Sequence, residues 1–232
     1  MEKKLERARI LAEALPYIQR FRGKIMVLKL GGKLFEDDQL LDALARDIVL
    51  LKEVGIEPVV VHGGGPQLDK MMERMGIKVE KVEGLRATDE QSMEVVEMVL
   101  CGKLNRQLVM RINLVGGRAI GLSGKDGMMI LAKRHSQSEL GAVGVVEKVN
   151  SQLIHQLTQS GFIPVIAPVG VDENGAVYNI NADLAAGAIA GALGAEKLIL
   201  LTDVEGVKNQ KGELLGLSLI HISEPTRPLY IS

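Results

Sequence analysis

Tryptophan is absent and aromatic residues make up only 3% of the chain, so a surface that stacks nucleobases on aromatic rings is not expected. An excess of one charge is also missing. The 28 Lys and Arg stand against 29 Asp and Glu, a formal net charge of −1, so nothing draws the whole molecule toward nucleic acid or an anionic membrane. Any phosphate site must therefore be local. The single cysteine, Cys101, excludes an intrachain disulfide and fits a reducing compartment. No apolar run approaches the roughly 20 residues that cross a bilayer. The opening MEKKLERARILAEAL has no uninterrupted apolar signal core, and Glu2, Glu6 and Glu13 argue against a transit peptide, so a cytoplasmic location is expected. Four scattered histidines, His62, His135, His155 and His221, show neither HExxH spacing nor cysteine partners, which argues against a zinc centre. Common nucleotide and hydrolase signatures fail as well. GLSGKDG at 121–127 has Ala119 where a P-loop needs its leading glycine, Gly63-Gly64-Gly65 lacks the third glycine of a dinucleotide fingerprint, and GLSGK is no nucleophile elbow.

What is present is ample apolar material, 47% over 232 residues, arranged with alternating periods. Leu5, Ala8, Leu11 or Ala12, Leu15 and Ile18 predict an amphipathic first helix that Pro16 should kink. IMVLKL then Gly31-Gly32, a helix from about Asp38 to Val54, PVVVH then Gly63-Gly64-Gly65, and a helix opened by Pro66 spell β-α-β-α. The segment 77–83 alternates as a strand. Thr88 and Gln91 have capping-box spacing ahead of a helical pattern from about Asp89 to Leu114, interrupted by Gly102. RAIGL, MMILA and VGVVEKV predict short strands, Ser151 a helix cap, FIPVIAPVG a buried strand, and Glu173-Asn174-Gly175 a hairpin turn. An Ala/Gly-rich helix from Asn181 to Leu193 and the strand-to-loop run KLILLTDVEGV follow. The fold class is α/β, an open and mostly parallel sheet sandwiched by helices, with ligands expected beyond the carboxyl ends of the strands.

Both glycine clusters fall at such ends. One carries a lysine, Lys29-Leu30-Gly31-Gly32, and the other opens a helix, Gly63-Gly64-Gly65-Pro66. Glycine lets backbone N–H groups approach an anion closely, a helix N-terminus adds about half a positive charge, and Lys29 adds a whole one. Taken singly, either loop also reads as a tight turn and Lys29 as a solvated strand end; two on one rim favour an anion site.

KLGG at 29–32, VVHGGG at 60–65, GLR at 84–86, GKDG at 124–127, NINAD at 179–183 and LLTDVEGV at 200–207 occur in an order and spacing that resembles the acetylglutamate kinases of the amino acid kinase family. The likeness runs from the start to about residue 215. It implies an ATP-dependent kinase of arginine biosynthesis that phosphorylates the γ-carboxylate of N-acetyl-L-glutamate, with ATP and Mg²⁺ as cofactors. By the same resemblance, Lys29 stabilises the transferring phosphoryl group, Gly32 and Gly64 donate backbone N–H groups around it, and Asp183 orients the catalytic lysines. Gly64, Gly65, Arg86 and Asn179 match positions that hold the acetylamino acid, while Thr202, Asp203 and Gly206 match the loop that meets the nucleotide. No protein metal ligand is implied, since Mg²⁺ is held mainly by ATP oxygens. The chemistry is consistent: a carboxylate with a pKa near 4.3 is already ionised at neutral pH and needs no general base to attack phosphorus.

Each of these residues also has an ordinary reading: Arg86 as a surface arginine, Asn179 and Asn181 as turn formers, Asp183 as a first-turn acid, Thr202 and Asp203 as a strand end. Met71, Met72 and Met75 read as core filler. The resemblance implies three regions, an N-terminal oligomerisation helix at 1–22, an amino acid kinase domain at 23–216 whose ATP lobe is incomplete, and a non-family tail at 217–232. That tail, LSLIHISEPTRPLYIS, reads as a translated sequencing adapter. After Gly206 only Lys208 and Lys211 follow, unlike the DGM-type segment that carries the family's second catalytic lysine. Substrate binding is therefore expected to persist better than turnover. The first helix resembles that of hexameric, arginine-inhibited members, which implies a homohexamer and arginine feedback. Two rival readings are a kinase for an aminoadipate-type substrate and a substrate-binding fragment without catalysis.

Overall fold

The computed structural model describes residues 2–82 and 84–201. The expected nucleotide-loop residues Thr202, Asp203 and Gly206, and the tail at 217–232, lie outside the described residues. Helix α1 (Glu2–Phe21) runs through Pro16 and leads into β1 (Ile25–Leu30), α2 (Asp38–Glu53), β2 (Glu57–His62) and α3 (Gly65–Arg74). A hairpin of β3 (Lys81–Val82) and β4 (Leu85–Arg86) precedes α4 (Glu90–Val96), a π-helical segment (Glu97–Leu104) and α5 (Asn105–Leu114). Then come β5 (Ala119–Ser123), β6 (Ile130–Arg134), β7 (Val143–Val149), α6 (Gln152–Gln159), β8 (Ile163–Ala167), β9 (Val169–Val171), β10 (Val177–Ile180), α7 (Ala182–Leu193) and β11 (Lys197–Leu201).

The central sheet has five parallel strands in the order β11-β1-β2-β8-β5. Parallel strands need covered faces, and side-chain alternation supplies two. Leu28, Leu30 and Val60 face a core shared with Leu41 and Ile48 of α2, Leu68 and Met72 of α3, and Leu108 and Ile112 of α5. Val27, Val59 and Val61 face the other way, against Ile154 of α6 and Ala185, Ile189 and Leu193 of α7. The small residues of α7 let it lie close to the sheet. Its first turn is capped by Asn181, whose side chain accepts from the N–H groups of Asp183 and Leu184, and Gly194 closes it in the left-handed conformation at φ 57°.

Sequence reading did not separate the remaining strands from this sheet. β10, β7, β6 and β9 instead form a small closed barrel. Its directions are mixed: β6–β7 and β9–β10 are antiparallel, while β7–β10 and β6–β9 are parallel. Asp172 organises the β9–β10 turn by accepting from the N–H groups of Asn174 and Ala176, each at 2.9 Å.

Four local expectations need correction. The strand expected at 77–83 is reduced to β3; Ile77 and Val79 alternate because they pack on the core, not because they pair in a sheet. The cap of α4 is Asp89, which accepts from Ser92 N at 2.8 Å, while the Thr88 hydroxyl donates to the Arg86 carbonyl. Ser151 makes no side-chain cap bond, and Asn150 accepts from Gln152 N instead. Gly102 does not interrupt the long helix. The extra residue per turn is absorbed by the π-helical segment around it. Among the described residues, no helix is long and apolar enough to cross a membrane.

Candidate active site

The register of the sheet brings both glycine loops to one rim. Leu30 lies opposite His62 on one side and Leu201 on the other. Gly31 N then donates to Leu201 O at 2.9 Å, and Gly63 N to Leu30 O at 2.8 Å. Lys29, one residue before the end of β1, reaches Asp183 in the first turn of α7, with Nζ 2.9 Å from Oδ1. The lysine side chain is 12% exposed and the carboxylate 42%. A mostly buried ammonium is thus held by a partner that still touches solvent, at the positive end of a helix. The end of β1, both glycine loops and the first turn of α7 thus meet on one rim.

The two loops are packed against each other. A Cβ at Gly32 would lie 2.8 Å from Pro66 Cδ and 3.0 Å from Gly65 N, so a side chain there would push the loops apart. Gln67 joins them directly, donating from Nε2 to Gly32 O at 2.9 Å. A Cβ at Gly64 would collide with Leu104 and come within 2.6 Å of Leu100, both from the π-helical segment. These glycines are needed for close approach.

Arg86 is only 8% exposed. Its Nη1 donates to Asp69 Oδ1 and its Nη2 to Gly65 O at 3.1 Å, which ties the guanidinium to the start of α3. Partial burial alone would raise the Asp69 pKa, but hydrogen bonds and charge from Arg86 and Lys81 outweigh it and hold the carboxyl below its ordinary value. Asn179 donates from Nδ2 to the Thr88 hydroxyl at 3.2 Å, and that hydroxyl donates to Arg86 O at 2.8 Å. Gly65, Arg86 and Asn179 are therefore joined in one short network. Lys29 and Asp183 meet as a separate ion pair, and Gly32 packs on Gly64 and Gly65.

The supporting residues Asp69, Thr88 and Gln67 are not anticipated by the sequence patterns. Thr88 has the spacing of a helix cap, while Asp69 and Gln67 carry no local signature. Among the described residues no group of three or more His, Cys, Asp or Glu converges to hold a metal ion.

Residues 24–215 match the amino acid kinase family. The acetylglutamate kinase of Acinetobacter baylyi is 54% identical over 228 residues, covering 93% of this chain and 75% of that protein. The acetylglutamate kinase of Geobacter metallireducens is 53% identical over 226 residues, covering 93% of this chain and 77% of that one. Among solved structures, the N-acetylglutamate synthase of Neisseria gonorrhoeae, complexed with coenzyme A and N-acetyl-glutamate, superposes with a TM-score of 0.76 at 27% identity. That match covers 87% of this chain and 47% of the synthase. The glycine loops and their lysine thus sit in a chain that belongs to the amino acid kinase family, among its acetylglutamate kinases, and is a phosphotransferase.

Proposed function

We propose that this chain transfers the γ-phosphoryl group of ATP to the γ-carboxylate of N-acetyl-L-glutamate, giving an acyl phosphate and ADP in arginine biosynthesis. The observation that carries this reading is Lys29, held 2.9 Å from Asp183 on the rim where two glycine loops meet. A carboxylate oxygen forms the new bond to phosphorus, and the bond from phosphorus to the bridging oxygen of ADP breaks. No proton has to move, so catalysis reduces to alignment and neutralisation of charge. Lys29 and the N–H groups of Gly32 and Gly64 stabilise the transferring group, and Asp183 keeps the lysine extended toward it. Gly64, Gly65, Arg86 and Asn179 hold the acetylamino acid, with the remaining donors of the Arg86 fork directed to its α-carboxylate. Thr202, Asp203 and Gly206 meet the nucleotide. Mg²⁺ enters with ATP and is held mainly by phosphate oxygens.

The same reading includes assembly and regulation. Leu15 and Tyr17 of α1 are 51% and 66% exposed, surface that a second copy would cover in a hexamer. Arginine as a feedback inhibitor is supported by a related fold: a structure of the Neisseria synthase complexed with coenzyme A and L-arginine superposes with a TM-score of 0.72 at 26% identity.

Single-turnover trapping with hydroxylamine tests the reaction directly, with protein in excess over N-acetyl-L-glutamate and MgATP present. A hydroxamate from acetylglutamate and none from an N-acetylated aminoadipate is expected. The reverse preference would overturn the substrate assignment.

A further inference from the structure

His62, the last residue of β2, is fully buried beside the second glycine loop and has no part in the chemistry above. Its Nδ1 lies 3.0 Å from Gly63 O, and its Nε2 lies 3.2 Å from Asn105 Nδ2. A carbonyl only accepts and an amide nitrogen only donates, so both contacts specify one tautomer, with the proton on Nδ1. The orientation of Asn105 is fixed in turn, because Nδ2 also donates to Val165 O at 2.9 Å. Turning the amide over would set its oxygen against that carbonyl; as placed, the amide oxygen is buried with no hydrogen-bond partner among the described residues. Burial keeps the imidazole neutral, lowering its pKa to about 4 against the weaker opposing effect of the Gly63 carbonyl. Phe35 packs against the ring at 5.6 Å between centroids and closes the site.

The location of Asn105 follows from the π-helical segment. Asn105 is the first residue after it, and Leu100 and Leu104 within it are the side chains that bound Gly64. The widened stretch of helix thus brings two leucines to the loop and, one residue on, Asn105 to the histidine that precedes it. Two leucines set how closely Gly64 can approach, and Asn105 holds the imidazole that holds the Gly63 carbonyl. Departures of this kind from α-helical register recur at functional sites.

We propose that His62 and Asn105 are positioning residues for the reaction: the Asn105–His62–Gly63 hydrogen-bond chain, braced by the π-helical segment, aims the N–H groups of Gly64 and Gly65 at the anionic groups of the bound substrate. This rests on reading the second glycine loop as part of the acetylglutamate site. A core histidine that only fills space would rank substitutions differently from one that aims a loop. His62→Leu keeps the apolar volume and loses the donor. His62→Asn loses volume but keeps an N–H two bonds from Cβ, where Nδ1 stands.

The test measures thermal melting and calorimetric affinity for N-acetyl-L-glutamate in the full chain and both variants, with imidazole ¹⁵N shifts of the unsubstituted chain. The unsubstituted chain is expected to bind and to show a neutral ring protonated at Nδ1. His62→Leu should melt at least as high as His62→Asn yet bind about tenfold more weakly than the parent, and His62→Asn should recover most of that loss. Affinities that follow melting temperature, two variants that bind like the parent, or an Nε2-protonated ring would overturn the proposal. Failure of the unsubstituted chain to bind at all would instead overturn the substrate reading, and the inference with it.

Discussion

Lys29 and Arg86 are cations of the proposed site among the described residues, and the structure holds them in different ways. Lys29 pairs with the Asp183 carboxylate, while Arg86 is divided between Asp69 and the Gly65 carbonyl. Replacing Arg86 with Lys keeps a charge for Asp69 but loses the planar fork, so affinity for N-acetyl-L-glutamate is expected to fall at least tenfold by calorimetry. The fold should survive with a loss of about 1 kcal/mol, near the net value of one hydrogen bond. Asp69 provides a test of the network in acid. Its pKa is depressed in the folded chain, so its contribution is fully present above the ordinary carboxylate value and is lost as pH falls through the lower folded one. Asp69→Asn should therefore lower the melting temperature at neutral pH and narrow its gap from the parent below about pH 4. A constant gap across that range in thermal scans would mean that Asp69 does not titrate as a partner of Arg86. Lys29→Met removes the charge proposed to face the transferring group, and single-turnover trapping should slow by ~10²-fold, as for loss of a preorganised electrostatic contact. The Asp183→Asn effect should not add fully to it, because the two groups act as a pair.

At the scale of elements, the β-α-β-α opening was legible because each unit carries its own punctuation. Gly31-Gly32, Gly55, Gly63-Gly64-Gly65 and Pro66 mark boundaries without reference to the rest of the chain. Contacts that shape the site were illegible for the opposite reason. Asn105 meets His62 across 43 positions, and Asn179 meets Thr88 across 91. Nothing adjacent to either asparagine announces its partner. The π-helical segment was hidden too, since its widened turn serves a packing need, the approach of Leu100 and Leu104 to Gly64, which a local reading of Gly102 as a helix breaker cannot see. That packing is open to test. Gly64→Ala places a Cβ against Leu100 and Leu104, an overpacking that should cost about 1–3 kcal/mol. Leu104→Val, which shortens the colliding side chain, should restore part of the melting temperature lost by Gly64→Ala. If Gly64→Ala melts like the parent, the loop does not rest on the π-helical segment as described.

For the molecule as a whole, a parallel sheet with helices on both faces followed from the strand-helix alternation. The closed barrel did not, because its hairpins have the same short alternating runs as any sheet edge and close through pairings remote in sequence. The proposed assembly through α1 rests on Leu15 and Tyr17, which stay more than half exposed within the described chain. Light scattering is expected to give a hexamer, reduced to a smaller species by removal of residues 1–22; an unchanged mass after that removal would refute assembly through this helix. The rim joining the two glycine loops is proposed to bind the acetylamino acid, and calorimetric titration of N-acetyl-L-glutamate into the unsubstituted chain and its Arg86→Lys variant decides it. One site per chain is expected, weakened at least tenfold by the substitution at nearly constant melting temperature. Absence of binding, or binding indifferent to Arg86, would rule out that site.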